Sequence, residues 1–226
     1  MSQPAPRGEL KNTGYEIFIG VLSILSILNL ALLYLADDPN IGQVLSVMNA
    51  VLSTVFLIDF TYRITTAVSR SDYFIRRFGW ADLLASLPVA ELKFLRMFRL
   101  VRVYRLMREI GARTVANMLI RDRAGSALLM LLLMGILVLQ FGSLGVLHLE
   151  QYAPGANITS ASDALWYTIV TISTVGYGDQ FPVTNPGRVV GALIIVIGVG
   201  IFGTFTGYLA NLFLSPHKPQ PESTGG

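Results

Sequence analysis

Two groups of residues have types and spacings that could do chemistry, and in both the chemistry is the handling of charge. The first is Lys93, Arg96, Arg99, Arg102, Arg105 and Arg108, cations at every third position with apolar pairs between them. On an α-helix this spacing drifts by about 60° per step and sets the rungs about 4.5 Å apart along the axis. On a 3₁₀-helix the charges would align on one face. Either geometry gives a ladder that can advance through a fixed anionic site one rung at a time. Candidate anions stand nearby in sequence: Asp59, with Arg63 four residues on along one helical face, and Asp82. The second group is "TVGYGD", Thr174 to Asp179, inside the strip "TISTVGYGDQF", where glycines flank a tyrosine and an acid follows. A glycine-rich turn is the plainest reading of that strip, and the elements around it decide.

Those elements belong to a membrane. The chain has 226 residues, 53% hydrophobic and 14% charged, a balance foreign to water-soluble domains of this size. Apolar stretches of the length that crosses a bilayer occur at 15–35, 44–67, 126–149 and 187–214, with two weaker ones between. The first lacks the charged start and small-residue cleavage site of a signal peptide and reads as a retained helix. With no cysteine, disulfides and thiolate metal sites are excluded. Arg7 and Lys11 precede the first span, Arg70, Arg76 and Arg77 follow the second, and Arg113, Arg121 and Arg123 precede the fifth, whereas the opposite loops carry Asp37 and Asp38 or, over 151–162, no charge. The bias of positive residues predicts cytoplasmic N- and C-termini on a multi-pass protein of the plasma or inner cell membrane.

Within the first span Ser23, Ser26 and Asn29 recur at three-residue intervals, a polar seam expected to face other helices. The turn "ADDPN" follows, its Pro39 closing it. A third segment, "GWADLLASLPVA", carries Asp82 near its start, and the ladder forms the fourth. The chain divides near residue 111. The expected order is a cytoplasmic N-terminus at 1–14, a four-helix bundle at 15–110, a linker at 111–125, a two-span unit at 126–214 and a disordered cytoplasmic tail at 215–226. No internal repeat is visible.

A basic apolar helix is ordinarily an interfacial amphipath or a nucleic-acid patch. Strict three-residue spacing and intramembrane acids argue instead for a voltage sensor, since charges inside a span are costly and mark function. Asp59 in the second segment and Asp82 in the third fall at similar depth and can share one guanidinium. Phe56, one turn from Asp59, reads either as core or as an aromatic cap on that pocket. Moving one charge across 100 mV is worth about 2.3 kcal/mol, so three in each of four subunits amount to about 28 kcal/mol.

Before the strip, "SASDALWYTIVTIS" reads as a short helix capped by Ser160 or Ser162, with Trp166 and Tyr167 suited to an interface or to bracing a neighbour. It is too short to span, so it predicts a re-entrant helix followed by irregular backbone. Such backbone at membrane depth must line a wet cavity or be buried in protein.

"TVGYGD" resembles the selectivity filter of potassium channels, a case that general accounts of channel selectivity use as their own example. From about residue 15 to 214 the chain resembles six-segment voltage-gated potassium channels of the compact prokaryotic kind, through Phe56, Asp59, Arg63, Asp82 and the ladder. The resemblance implies an all-α membrane protein: a four-helix voltage-sensor bundle and a two-helix pore domain with re-entrant pore helix and filter, assembled as a homotetramer around one pore. It implies potassium held by Thr174, Val175, Gly176 and Tyr177, with Gly178 and Asp179 completing the filter. Gating charges would be Arg96, Arg99, Arg102, Arg105 and Arg108, with Phe56, Asp59 and Asp82 as the charge-transfer site. Gly198 matches the family's hinge glycine, though glycine in a membrane helix is often a close-packing site, and Gly200 is an alternative. Asn49 stands where many members carry an acid, and the Pro-x-Pro kink of many animal relatives is absent.

Other signals are set aside. "GVGIFG" at 198–203 lies inside an apolar span with no preceding strand, so dinucleotide binding is rejected. "NIT" at 157–159 is a glycosylation sequon on an expected outer loop, meaningful only in an organism that glycosylates, and His148 with Glu150 is too little for a metal site. The expectation is a non-enzymatic channel with no cofactor beyond potassium as permeant ion. Its partners would be lipid, potassium and its own copies, with no nucleic acid or small-molecule substrate. The competing expectation is a voltage-sensing module with a non-conducting or proton-conducting role.

Overall fold

The computed structural model describes residues 13–66 and 127–214, and the ladder and Asp82 lie outside the described residues. The described chain forms five helices: α1 (Thr13–Leu35), α2 (Pro39–Thr66), α3 (Ala127–Glu150), α4 (Ala161–Ile172) and α5 (Asn185–Leu214). All but α4 are long and apolar enough to cross a membrane. They coincide with the four clear apolar stretches, with one difference. Pro39 opens α2 instead of merely closing the turn, because a first-turn proline has no N–H to waste. Asp38 caps the helix, its Oδ1 accepting from the N–H of Asn40 at 2.8 Å.

α1 and α2 form a hairpin that leans on α3, and α2 also reaches α4; α4 sits in the angle between α3 and α5. Two apolar clusters mark the joints. Phe18, Ile19, Leu22 and Leu25 of α1 meet Leu52 and Phe56 of α2 and Leu133 of α3. Val44 and Met48 of α2 meet Val138, Val146 and Leu147 of α3, with Ala161, Ala164 and Tyr167 of α4 and Ile194 of α5.

Lipid is as apolar as leucine, so association of such helices relies on close packing and interhelical hydrogen bonds. The polar seam of α1 is fully buried, as its spacing predicts. Asn29 donates to Gln140 Oε1 on α3 at 3.0 Å, and Gln140 returns a hydrogen bond to Asn29 Oδ1 at 2.5 Å. Closer to the strip, Ser143 on α3 donates to Thr168 on α4 at 3.0 Å.

Candidate functional site

α4 is started by Ser160, whose hydroxyl accepts from the Asp163 N–H while the Asp163 carboxylate accepts from the Ser160 N–H. This reciprocal box selects Ser160 over Ser162 as the cap. Asp163 also accepts from the Thr159 N–H. Against a partial burial that would raise it, these bonds hold its carboxyl below the usual aspartate value. The helix ends at Ile172, and the chain passes directly into the strip.

Within the strip, φ is positive at Thr174 (58°), Gly176 (59°) and Gly178 (77°), every second residue. A positive φ at every second residue keeps the strip out of both helix and regular strand. A Cβ added at Gly176 or Gly178 would meet no atom within 4 Å, so dihedral freedom and not space requires glycine there. Thr174 takes the same conformation with a Cβ, at a cost of order 1–3 kcal/mol that its surroundings must offset.

Those surroundings grip the strip where it leaves α4's side. The Trp166 indole N–H donates to Asp179 Oδ2 at 2.7 Å, and its ring stacks on Tyr177, centroids 5.8 Å apart and planes 7° apart. Asn157 donates to the Asp179 carbonyl at 3.0 Å and accepts from the Phe181 N–H at 3.2 Å. Glu150, fully buried at the end of α3, accepts from the Val183 N–H at 2.8 Å, the Thr184 N–H at 3.0 Å and the Thr184 hydroxyl at 2.6 Å. Gly187, in the first turn of α5, lies so close to that carboxylate that any Cβ would collide with it. The strip is therefore a strained segment held by Trp166 of α4 and Asn157 of the loop before it, with Glu150 of α3 holding the chain just beyond.

Gly198 has a defined neighbour. A Cβ there would lie 2.8 Å from Ile172 Cα and 3.2 Å from its carbonyl oxygen, backbone that cannot step aside, whereas Gly200 has nothing within 4 Å. Gly198 lets α5 pass directly against the last turn of α4.

The charged residues within the helices α1 and α2 meet at the end away from the hairpin turn. Arg63 Nε donates to Asp59 Oδ1 at 2.7 Å, and its two terminal nitrogens fork onto the Glu16 carboxylate, both at 2.9 Å. Tyr15 donates to the same Asp59 oxygen at 2.7 Å, and the guanidinium carbon lies 5.7 Å from its ring centroid. Phe56, 1% exposed, is built into the cluster shared by α1, α2 and α3 one turn from Asp59. Core packing and proximity to the acid thus both hold for it. Asp82, Arg96, Arg99, Arg102, Arg105 and Arg108 lie outside the described residues.

With that geometry in place, comparison with known proteins adds the family. Residues 12–215 match the family described as ion transport protein. The chain belongs to that family. Four of its described helices are long and apolar enough to cross a membrane, as in a multi-pass membrane protein. A voltage-gated potassium channel of Aeropyrum pernix is 33% identical over 87 residues, 38% of this chain and 30% of the relative. A calcium-gated potassium channel of Thermoplasma volcanium is 42% identical over 71 residues, 31% of this chain and 20% of the relative. A putative potassium channel protein of Rhodopseudomonas palustris is 33% identical over 136 residues, 59% of this chain and 32% of the relative. The chain spans about a third or less of the length of these curated relatives.

As a member of the ion transport protein family, the chain holds residues that sequence reading passed over. Glu16 and Tyr15 at the start of α1 were not picked out, although an acid just inside an apolar span is itself a signal. Trp166, suited from sequence to an interface or to bracing a neighbour, braces Asp179 and Tyr177, and the role of Glu150 in holding Val183 and Thr184 has no local signal in the sequence. Among the described residues no group of histidine, cysteine and carboxylate side chains could hold a metal.

Proposed function

We propose that the chain is one subunit of a homotetrameric, voltage-gated, potassium-selective channel, with both termini cytoplasmic. The observation that supports the pore reading is the positive φ at Thr174, Gly176 and Gly178; on this reading the strip presents its carbonyls to one side. Four such strips around an axis would make successive oxygen rings able to replace a cation's water, with Thr174, Val175, Gly176 and Tyr177 as ligands and Gly178 and Asp179 closing the outer end. α4 runs into the strip by its C-terminal end, where the partial negative charge of the helix favours a cation. The relatives above are named as potassium channels, and their names assign them different triggers, voltage in one and calcium in another. The voltage reading therefore stands on this chain's own ladder, Arg96, Arg99, Arg102, Arg105 and Arg108, and on Asp59, Asp82 and Phe56 as the site it passes. The 1–14, 15–110, 111–125, 126–214 and 215–226 division serves as sensor and pore with their connections.

Flux through the purified chain in planar bilayers, with potassium and sodium gradients opposed, tests this. Reversal at the potassium equilibrium potential, with current lost in Gly176→Ala, is the expected result. Reversal that follows sodium would end the selectivity reading, and a conductance independent of voltage would end the sensor reading. A voltage-driven movement of the ladder without potassium current would favour the non-conducting or proton-conducting module.

A further inference from the structure

The sequon "NIT" at 157–159 has no part in a channel reading, yet its asparagine is engaged at both ends of the carboxamide. Asn157 Nδ2 donates to the Asp179 carbonyl at 3.0 Å, and Asn157 Oδ1 accepts from the Phe181 N–H at 3.2 Å. A backbone carbonyl can only accept and a backbone N–H only donate, so these partners fix which way the amide points. Together the two bonds hold the peptide planes on either side of Gln180. The side-chain oxygen of Gln180 adds no hold of its own, being buried with no donor among the described residues. The Trp166 bond is of another kind, because it takes the Asp179 carboxylate and leaves the main chain free to turn about it. Asn157 is itself firmly seated. Its neighbour Ile158 is fully buried in the cluster with Val146 and Leu147 of α3, and the next N–H, that of Thr159, donates to Asp163 at 3.1 Å.

We infer that Asn157 is a positioning residue of the strip: it fixes the main chain just beyond Gly178, so that the peptides from Gly176 to Asp179 keep the conformation that binds a cation. The inference rests on the potassium-channel reading above. Gly176 and Gly178 have positive φ, and a Cβ at either would meet nothing within 4 Å. Neither a side chain nor a neighbour therefore restricts these two residues, and the hold on their peptides comes from the end of the strip. A peptide that turns over withdraws its carbonyl from the ion. Potassium and the Asn157 amide then favour the same conformation, and by linkage loss of the amide weakens potassium binding.

Potassium chloride titrated into the purified full chain held in sodium, followed by calorimetry, measures that binding. Asn157→Ala is expected to weaken it by about fivefold or more. The isosteric Asn157→Asp is expected to weaken it at least as much, because it keeps the acceptor for Phe181 but sets a carboxylate oxygen against the Asp179 carbonyl. Thr159→Val removes the sequon while keeping Asn157 and the backbone N–H that Asp163 accepts, and it is expected to bind potassium as the wild type does. Three results overturn the inference: wild-type binding in N157D, as for a residue that only fills space; a T159V that matches N157A in a chain made by a glycosylating host, as for a glycan acceptor; or an N157A assembly that melts earlier with unchanged potassium affinity, as for a purely structural loop contact. Should N157A fail to assemble, N157D against T159V makes the same comparison at constant size. Each of these leaves the wild-type potassium affinity, and so the channel reading, intact. A wild-type chain that binds no potassium removes that reading and the inference with it.

Discussion

The carboxylate of Asp179 is held by an indole N–H and its backbone carbonyl by Asn157, so one residue anchors the C-terminal end of the strip at two atoms. Replacing Trp166 by phenylalanine keeps a ring to stack on Tyr177 and deletes the donor. A hydrogen bond to a charged group contributes about 1.5–3 kcal/mol. W166F is expected to lose about that much per chain, read as earlier thermal dissociation of the solubilised assembly and faster decay of potassium current during sustained opening. Asp38 is a second residue with several roles. It caps α2 and accepts from Gln151 Nε2 at 2.7 Å and from the Tyr152 hydroxyl at 3.0 Å, tying the α1–α2 turn to the loop after α3. Desolvation would raise its pKa, but the N–H of Asn40 and the Tyr152 and Gln151 donors outweigh it and hold the carboxyl below its usual value. A folded pKa below the unfolded one means that this latch stabilises the protein above about 3.9, the unfolded value, and weakens only as pH falls through the lower folded one. Titration of the Asp38 carboxyl carbon by NMR is expected to show a midpoint below that of a model peptide, and D38N is expected to abolish the pH dependence of the contact.

At the scale of the element, Gly198 separates two explanations of one residue. A hinge needs backbone freedom, which Gly200 could also supply, whereas a packing site needs the absence of a Cβ at one face only. The Ile172 backbone at 2.8 Å gives Gly198 a packing requirement that Gly200 lacks. Gly198→Ala is expected to cost about 1–3 kcal/mol through overpacking and to reduce current, while Gly200→Ala is expected to be neutral or to stabilise α5 by up to about 1 kcal/mol. Thermal unfolding of both variants with current recordings decides it, and equal effects would restore the hinge. The hairpin of α1 and α2 meets α3 through the reciprocal Asn29–Gln140 amides, both fully buried. Interhelical hydrogen bonds in membranes contribute about 0.6–2 kcal/mol. Asn29→Leu alone leaves a buried amide unpaired and is expected to be worse than N29L/Q140L, a non-additivity that a double-mutant cycle in detergent unfolding measures.

For the whole molecule, the apolar flank of α5 bears on assembly: Leu193 is 58%, Val196 71% and Val199 55% exposed in the single chain. These residues, with Val175 at 53% and Tyr177 at 67%, are expected to be covered in a tetramer, so native mass measurement in detergent should give four 24.7-kDa chains. Much of this was legible beforehand. The spans follow from hydropathy, the buried face of α1 from the spacing of Ser23, Ser26 and Asn29, and the α4 start from a serine preceding an apolar run. The strip stood out because glycine, tyrosine and aspartate interrupt apolar chain. All of these are local signals, in which length, periodicity and residue type act within a turn or two. What the sequence by itself determined was therefore which segments are helical and which of their faces are polar. Partner choice was decided only in three dimensions. Tyr15 and Glu16 meet Asp59 and Arg63 across 44 and 47 residues, Glu150 meets Thr184 across 34, and Asn29 meets Gln140 across 111. A polar face announces that it needs a partner, but several helices could supply one. Only packing, which brings these buried groups together across the chain, selects among them.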